Sequence, residues 1–275
     1  RLSILLTGGS GQFGRAFQET ATGHAVIAPS HTELAIERAA DIAAAFERHR
    51  PDWIVHAAAM TDVDGCERDP ARAHALNAVA AGQIAQAAAR SGARMVLVST
   101  DYVFDGERGR YREDDATAPL SLYGRSKLEG ERLARAALPD VVVARTSVLF
   151  GPHKNNFVQW VRRTLREGKT VRAARDQWVT PTASHDLARQ ALALVESGAR
   201  GTFHTAGAER LSRLEMAQRI AAHDGLDAAL IDPIAMADLT WVARRPRDSS
   251  LDTSKIARLV APLGFDEALD AQSSS

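Results

Sequence analysis

The chain carries a single cysteine in 275 residues, Cys66, so no intramolecular disulfide can form and a reducing compartment is expected. No His/Asn partner pattern surrounds Cys66, which is expected to be a structural thiol and not a nucleophile. An excess charge of either sign is also missing. The 34 basic residues balance 34 acidic ones, which points away from nucleic acid and from an anionic membrane surface as partners. No apolar run approaches the length of a membrane span, and no signal segment is expected ahead of the first strand. The expected location is cytoplasmic. Aromatic residues are few, at 5%, with only three tyrosines, and four lysines stand against 30 arginines.

Two of these scarce residues stand four apart, Tyr123 and Lys127, in Leu122-Tyr123-Gly124-Arg125-Ser126-Lys127. Three tyrosines at a lysine frequency of 4/275 give about 0.04 such pairs by chance, so context must decide what the pair means. On a helix, positions i and i+4 share a face, which would aim phenol and ammonium into one cleft. A phenol of pKa about 10 is a poor proton donor near neutrality, and a fixed cation beside it would lower that value. The context is a glycine-spaced turn at the start of the chain, Thr7-Gly8-Gly9-Ser10-Gly11-Gln12-Phe13-Gly14. Gly8, Gly11 and Gly14 fall between a short apolar strand, Leu2 to Leu6, and a helix from Gln12. There glycine permits a tight turn, and the helix N-terminus stabilises a pyrophosphate.

The rest of the first half alternates strand and helix. Strands are expected at 25–28, 53–56, 94–98 and 141–145, and helices at 12–20, 39–49, from Pro70 to about Arg90, and 123–137. This alternation predicts an α/β fold, a Rossmann-type doubly wound parallel sheet with helices on both faces. Residues 1–150 form the expected dinucleotide-binding domain, with a later strand near 201–205 returning to it. Residues 151–275 form mainly a smaller C-terminal substrate-binding lobe, with helices expected at 155–167, 184–197 and 212–223. The long polar stretch 99–122 reads as a functional loop. At the end of the fourth strand stands Ser99-Thr100-Asp101-Tyr102-Val103-Phe104. Ligands bind outside the carboxyl ends of parallel strands, so Ser99 or Thr100 is placed to hydrogen-bond a substrate carbonyl oxygen. The second strand ends at Ser30 where many dinucleotide folds carry an acid. With no carboxylate expected to repel a ribose 2′-phosphate, NADPH is placed ahead of NADH.

Together these stretches resemble the extended short-chain dehydrogenase/reductases, and among them the dTDP-4-dehydrorhamnose reductase family. The resemblance is carried by Thr7 to Gly14, Arg50-Pro51-Asp52, His56 to Asp64, Asn77, Ser99 to Gly106, Ala118-Pro119-Leu120 and Tyr123 to Lys127. It continues through Arg145-Thr146-Ser147, Asn155-Asn156-Phe157, Asp176-Gln177, Pro181-Thr182 and Arg245-Pro246 with Ser249 and Leu251. It implies Tyr123 as proton donor to a sugar C4 oxygen, Lys127 lowering the Tyr123 pKa and holding the nicotinamide ribose, and Thr100 polarising the carbonyl. It places Gly8, Gly11, Gln12, Phe13 and Gly14 at the pyrophosphate, Ser30 and Ile36 at the adenosine end, and Ala59, Met60 and Thr61 at the middle of the cofactor. Thr100, Asp101, Val148, Asn156 and Arg245 fall on the substrate side.

The expected activity is NAD(P)H-dependent reduction of the 4-keto group of a nucleotide-activated 6-deoxy sugar, with a nucleotide-sugar partner and a homodimeric assembly. The resemblance leaves two rivals, an epimerase or other enzyme acting on a different nucleotide sugar, and a dinucleotide-binding regulatory subunit like that of methionine adenosyltransferase. Three departures stand out: Val148 replaces a tryptophan of the family pattern, Ala35 replaces an aspartate before Ile36, and the terminal helix is expected to be missing. The acidic residues that bind a metal in some members are not recognisable, so no metal is expected.

Overall fold

The computed structural model describes residues 1–273, leaving Ser274 and Ser275 of the expected 151–275 lobe outside the described residues. The first half runs β1 (Ser3–Thr7), α1 (Gln12–Thr20), β2 (Ala25–Ile27), α2 (Ala39–His49), β3 (Trp53–His56), α3 (Val63–Arg68), α4 (Pro70–His74), α5 (Ala80–Ser91), β4 (Arg94–Thr100), α6 (Leu122–Ala137) and β5 (Val142–Thr146). Then follow β6 (Leu149–Phe150), α7 (Phe157–Arg166), β7 (Val171–Ala174), β8 (Trp178–Val179), β9 (Thr182–Ala183), α8 (Ser184–Ser197), β10 (Gly201–His204), β11 (Leu211–Ser212), α9 (Arg213–Asp224), β12 (Ile231–Ile234), α10 (Ser254–Ala257) and α11 (Phe265–Ser273).

Six strands form one parallel sheet in the order β2-β1-β3-β4-β5-β10. The chain reverses direction across the sheet between β1 and β3, and in open α/β sheets ligands bind in the crevice at such a switch point. The strands are hydrophobic on both faces because helices cover both. Alternate residues of β1 divide accordingly. Leu5 packs with Ile54, Leu97 and Val143 against α2, α5 and α6, whereas Ile4 and Leu6 pack with Val55, Val96 and Ala144 against α1 and α8. All of these side chains are essentially buried, each worth roughly 1.5–3 kcal/mol for the larger aliphatics.

A third cluster gathers buried residues of the second half of the chain, among them Phe150, Val158, Met216, Ile220 and Phe265. The helix expected to be missing at the end is present as α11. Phe265, Ala268 and Leu269 bury one face of it in this third cluster, and Phe265 meets Phe150 edge to face with ring centroids 5.6 Å apart.

The helix expected from Pro70 to about Arg90 is interrupted by one π-helical turn, Ala75–Val79, between α4 and α5. Such turns recur at functional sites because they re-aim a side chain. Here the re-aimed residue is buried Asn77. Its Oδ1 accepts from Met60 N at 2.8 Å, and its Nδ2 donates to Met60 O and Ser126 Oγ, both at 3.0 Å. One amide thus ties the loop after β3 to α6.

Candidate active site

The glycine turn leads from β1 into α1 with Gly11 as N-cap. No side chain caps this helix and no acid stands in its first turn, so its N–H groups remain available to an anion. Gly8 has φ +73°, and a Cβ there would lie 2.9 Å from Ala58 N; a Cβ on Gly14 would overlap the Gly8 carbonyl. Only glycine fits this backbone. Opposite the turn, Thr7 fixes the loop after β3. Its Oγ1 accepts from Ala57 N and Ala58 N, both at 3.1 Å, so its single proton goes to His56 Nδ1 at 2.6 Å. His56 is held neutral: burial, with the Lys127 charge adding to it, depresses its pKa to about 3.

Turn and loop border a cleft of about 1320 Å³ along the carboxyl ends of the sheet. That exceeds the ~300–1,000 Å³ of a typical one-ligand pocket and suits a dinucleotide with a second molecule beside it. The structure brings to this cleft nearly the whole expected set: Gly8, Gly11, Gln12, Phe13, Gly14, Ser30, Ile36, Ala59, Met60, Thr61, Thr100, Asp101, Tyr123, Lys127 and Val148. These residues fit a dinucleotide: a glycine cradle without Cβ atoms, an uncapped helix N-terminus, and hydroxyl and ammonium groups at the far end.

Strand β4 runs two residues further than its sequence pattern, so Thr100 is its last residue. Of the two hydroxyls left open by the sequence, Ser99 is committed to the buried carboxylate of Glu131, its Oγ donating to Oε2 at 2.5 Å. Thr100 Oγ1 donates to Asp101 Oδ1 at 3.1 Å and accepts from Tyr102 N at 3.1 Å. Helix α6 starts on a Ser121 cap whose side chain accepts from Gly124 N, and this sets the rotation that turns Tyr123 and Lys127 to the cleft. Lys127 is buried and donates from Nζ to Val98 O at 2.8 Å. Burial brings its pKa down to about 8 against the pull of Glu131 one turn later.

The electrostatics of Tyr123 differ from the expectation. Burial raises its pKa above the usual phenol value, with a hydrogen bond to the Thr100 side chain as the opposing influence. The Lys127 ammonium is engaged by the Val98 carbonyl. Tyr123 is therefore held as the neutral phenol.

Two residues expected on the substrate side lie outside the cleft lining, and the end of β2 differs from its acid-free reading. Asn156 caps α7, its Oδ1 accepting from Gln159 N at 3.0 Å and its Nδ2 donating to Gly151 O and Lys154 O, and it does not line the cleft. Arg245 also lies outside the lining, tied to Asp64 Oδ1 at 2.5 Å and to Ala243 O at 3.0 Å. The end of β2 is not free of acid: Glu33 reaches back so that Ser30 Oγ donates to its carboxylate at 3.1 Å, and Glu33 lines the cleft. A carboxylate there favours ribose hydroxyls, while neighbouring Arg15 and His31 favour phosphate.

Sequence reasoning missed Lys154 and Asn155, which line the cleft from the loop after β6. Their backbone is pinned by Gln12, whose Oε1 accepts from His153 N and Lys154 N at 3.2 and 3.0 Å. It also missed Arg213 at the start of α9. This enclosed guanidinium stacks over Phe157 at 4.8 Å, feels Tyr102 and Asp101, and has no ion-pair partner among the described residues. Val148 is in the cleft wall with φ +28°, a strained conformation for a β-branched residue. Although no metal was expected, Glu19, His153 and His185 bring their ligand atoms within 4.8 Å of one another, with the Glu19 carboxylate 2.9 Å from His153 Nε2 and 2.6 Å from His185 Nε2.

A parallel doubly wound sheet with this turn and a Thr/Tyr/Lys set at its carboxyl edge defines a dinucleotide-binding α/β protein equipped for proton transfer. The RmlD substrate binding domain model matches residues 2–271, and the chain belongs to that family. It is 36% identical over 269 residues to a probable low-salt glycan biosynthesis reductase of Haloferax volcanii, covering 91% of this chain and 90% of that one. It is 37% identical over 265 residues to dTDP-4-dehydrorhamnose reductase of Mycobacterium tuberculosis, covering 92% and 86%. Among solved structures, dTDP-4-dehydrorhamnose reductase of Bacillus anthracis in complex with NADP superposes with a TM-score of 0.95 at 28% identity, covering 100% and 99% of the two chains.

Proposed function

We propose that the protein is an NAD(P)H-dependent oxidoreductase that reduces the 4-keto group of a nucleotide-activated 6-deoxy sugar of the dTDP-4-dehydrorhamnose type. The observation that carries this reading is the meeting of Thr100, Tyr123 and Lys127 at the end of β4, at one end of a dinucleotide-sized cleft. Relatives and a solved neighbour of the same family are named as such reductases.

Bound NADPH or NADH would supply the hydride. Residues Gly8 to Gly14 would hold its pyrophosphate, Ser30 and Ile36 its adenosine end, and Ala59 to Thr61 its middle. Tyr123 donates its proton to the C4 oxygen, so that the carbonyl carbon gains a hydride and the oxygen a proton. The raised pKa of Tyr123 suits this direction, because the phenol arrives protonated at neutral pH. Lys127 would orient the nicotinamide ribose, and Thr100 polarises the substrate carbonyl. The lobe after residue 150 binds the nucleotide sugar, with Val148 in the sugar wall and Arg213 offering a cation to the diphosphate. A cytoplasmic homodimer completes the proposal.

Consumption of NADPH on addition of dTDP-4-keto-6-deoxy-L-lyxo-hexose tests this reading. Tyr123→Phe is expected to lower kcat by ~10²–10⁴-fold while leaving cofactor affinity nearly intact. Full turnover by that variant would remove Tyr123 from the reaction.

A further inference from the structure

Asp101 is 3% exposed, and among the described residues it is held by hydroxyls and not by an ion pair. Its carboxylate is held by hydroxyls from three parts of the chain: Thr100 Oγ1 donates to Oδ1 at 3.1 Å, while Ser147 Oγ and Ser249 Oγ donate to Oδ2 at 3.1 and 2.5 Å. Ser147 follows β5, and Ser249 lies in the segment that pairs with β8 through Trp178 O. Asp101 therefore joins the two lobes directly beneath the candidate catalytic hydroxyl.

The proton count makes the two oxygens unequal. Ser147 Oγ already accepts from Thr180 N at 3.1 Å, so its proton is committed to Asp101. With Ser249 also donating, Oδ2 takes two hydroxyl protons and has little room for one of its own. A proton on Asp101 belongs on Oδ1, the oxygen facing Thr100. Thr100 Oγ1 has one proton and one site already filled by Tyr102 N–H. When Asp101 is ionised, the Thr100 proton points down at Oδ1, and only a lone pair faces Tyr123. When Oδ1 carries a proton, that O–H donates to Thr100, and the Thr100 proton turns into the cleft.

We propose that Asp101 is a positioning residue that sets the direction of the Thr100 hydroxyl proton, and so decides whether Thr100 donates to the developing alkoxide. This rests on the reductase reading above. Asp101 acts through Thr100 and not on the sugar. Burial raises its pKa to about 6, opposed by the three hydroxyls and by the charge of Arg213. The other titratable groups in its surroundings are Tyr102 beside it and Tyr123 on α6. A raised pKa means that the donating arrangement is present below about pH 6 and is lost as pH rises through that value.

The decisive variant is Asp101→Asn, whose amide can donate to Thr100 permanently while its carbonyl accepts from Ser147 and Ser249. In the wild type, kcat is expected to fall about tenfold per pH unit above the Asp101 pKa, whereas Asp101→Asn gives a flat profile across that window. An Asn variant that keeps the wild-type limb, or one that folds and binds cofactor but does not turn over, overturns the proposal. Infrared titration reads the same group without turnover. The wild type should show a carboxylic-acid carbonyl band titrating near pH 6, absent in Asp101→Asn and shifted in Thr100→Val. A band indifferent to Thr100→Val, or no such band, overturns the coupling. Absence of wild-type turnover on a keto-sugar would instead refute the reductase reading, and the infrared arm would still decide the role of Asp101.

Discussion

Glu131→Gln is the most informative single perturbation of the scaffold. Glu131 is 0% exposed and lies one turn beyond Lys127 on α6. Its carboxylate accepts from Arg145 Nη2 and Nε at 2.8 and 3.1 Å, from Ser99 Oγ at 2.5 Å and from Arg135 Nη2 at 3.2 Å. Arg145 is itself only 3% exposed, so the substitution leaves a buried guanidinium without its carboxylate. Breaking such a pair by removing one partner costs about 3–5 kcal/mol, against ~0–1 for an exposed pair. At roughly 2–4 °C per kcal/mol for a chain of this size class, Tm should drop by about 6–20 °C in calorimetry at pH 7.

Burial alone would raise the Glu131 pKa, but Arg145, Ser99 and Arg135 more than offset it and hold the carboxyl below its usual range. A depressed carboxylate pKa contributes stability above the unfolded value that is lost as pH falls through the folded one. The wild-type advantage over Glu131→Gln should therefore shrink in acid. Removing the charge also withdraws support from the Lys127 ammonium, moving its pKa further down. A Tm change equivalent to less than about 1 kcal/mol would refute the reasoning, because it would place this pair with surface ion pairs.

Gly14→Ala would drive a methyl into the Gly8 carbonyl and should weaken NADPH binding more than tenfold in a fluorescence titration. Gly23→Ala, with nothing within 4 Å of the added carbon, should leave it unchanged. Because the pKa of Lys127 is lowered to about 8, its ammonium is lost as pH rises through that value, so cofactor affinity should decline above pH 8; affinity constant to pH 10 would contradict this. Burial, helped by the charge of Asp62, pushes the Cys66 thiol up to about 11, so it should resist disulfide-exchange reagents at pH 8 in the native protein and react on unfolding.

The parallel sheet, its helices and the glycine turn that borders the cleft were legible in the sequence because each rests on a local signal. Glycine spacing marks the turn, continuous apolar strands mark a sheet covered on both faces, and Tyr123 and Lys127 share one helix face. What escaped was set by contacts between distant segments. The π-turn at Asn77 has no sequence period of its own and follows from the need to satisfy Met60 and Ser126. Helix α11 was overlooked because a short helix is stabilised here by Phe265 packing on Phe150, more than a hundred residues away in the chain. The cap made by Asn156 and the ion pair made by Arg245 are set by tertiary contacts, and Arg213 became visible only when α9 folded against Asp101 and Tyr102. The pKa of Tyr123 followed from burial, a quantity that spacing along a helix does not contain.

The central claim is hydride delivery to C4 of the sugar beside Tyr123. The most direct measurement is to run the reaction with NADPH carrying deuterium at the transferable position and to locate the label in the isolated nucleotide-sugar product by NMR. The account predicts one deuterium on the carbon bearing the new C4 hydroxyl, formed at a rate sharply reduced in Tyr123→Phe. Deuterium at another carbon, or labelling at an undiminished rate with Tyr123 replaced by Phe, would contradict it.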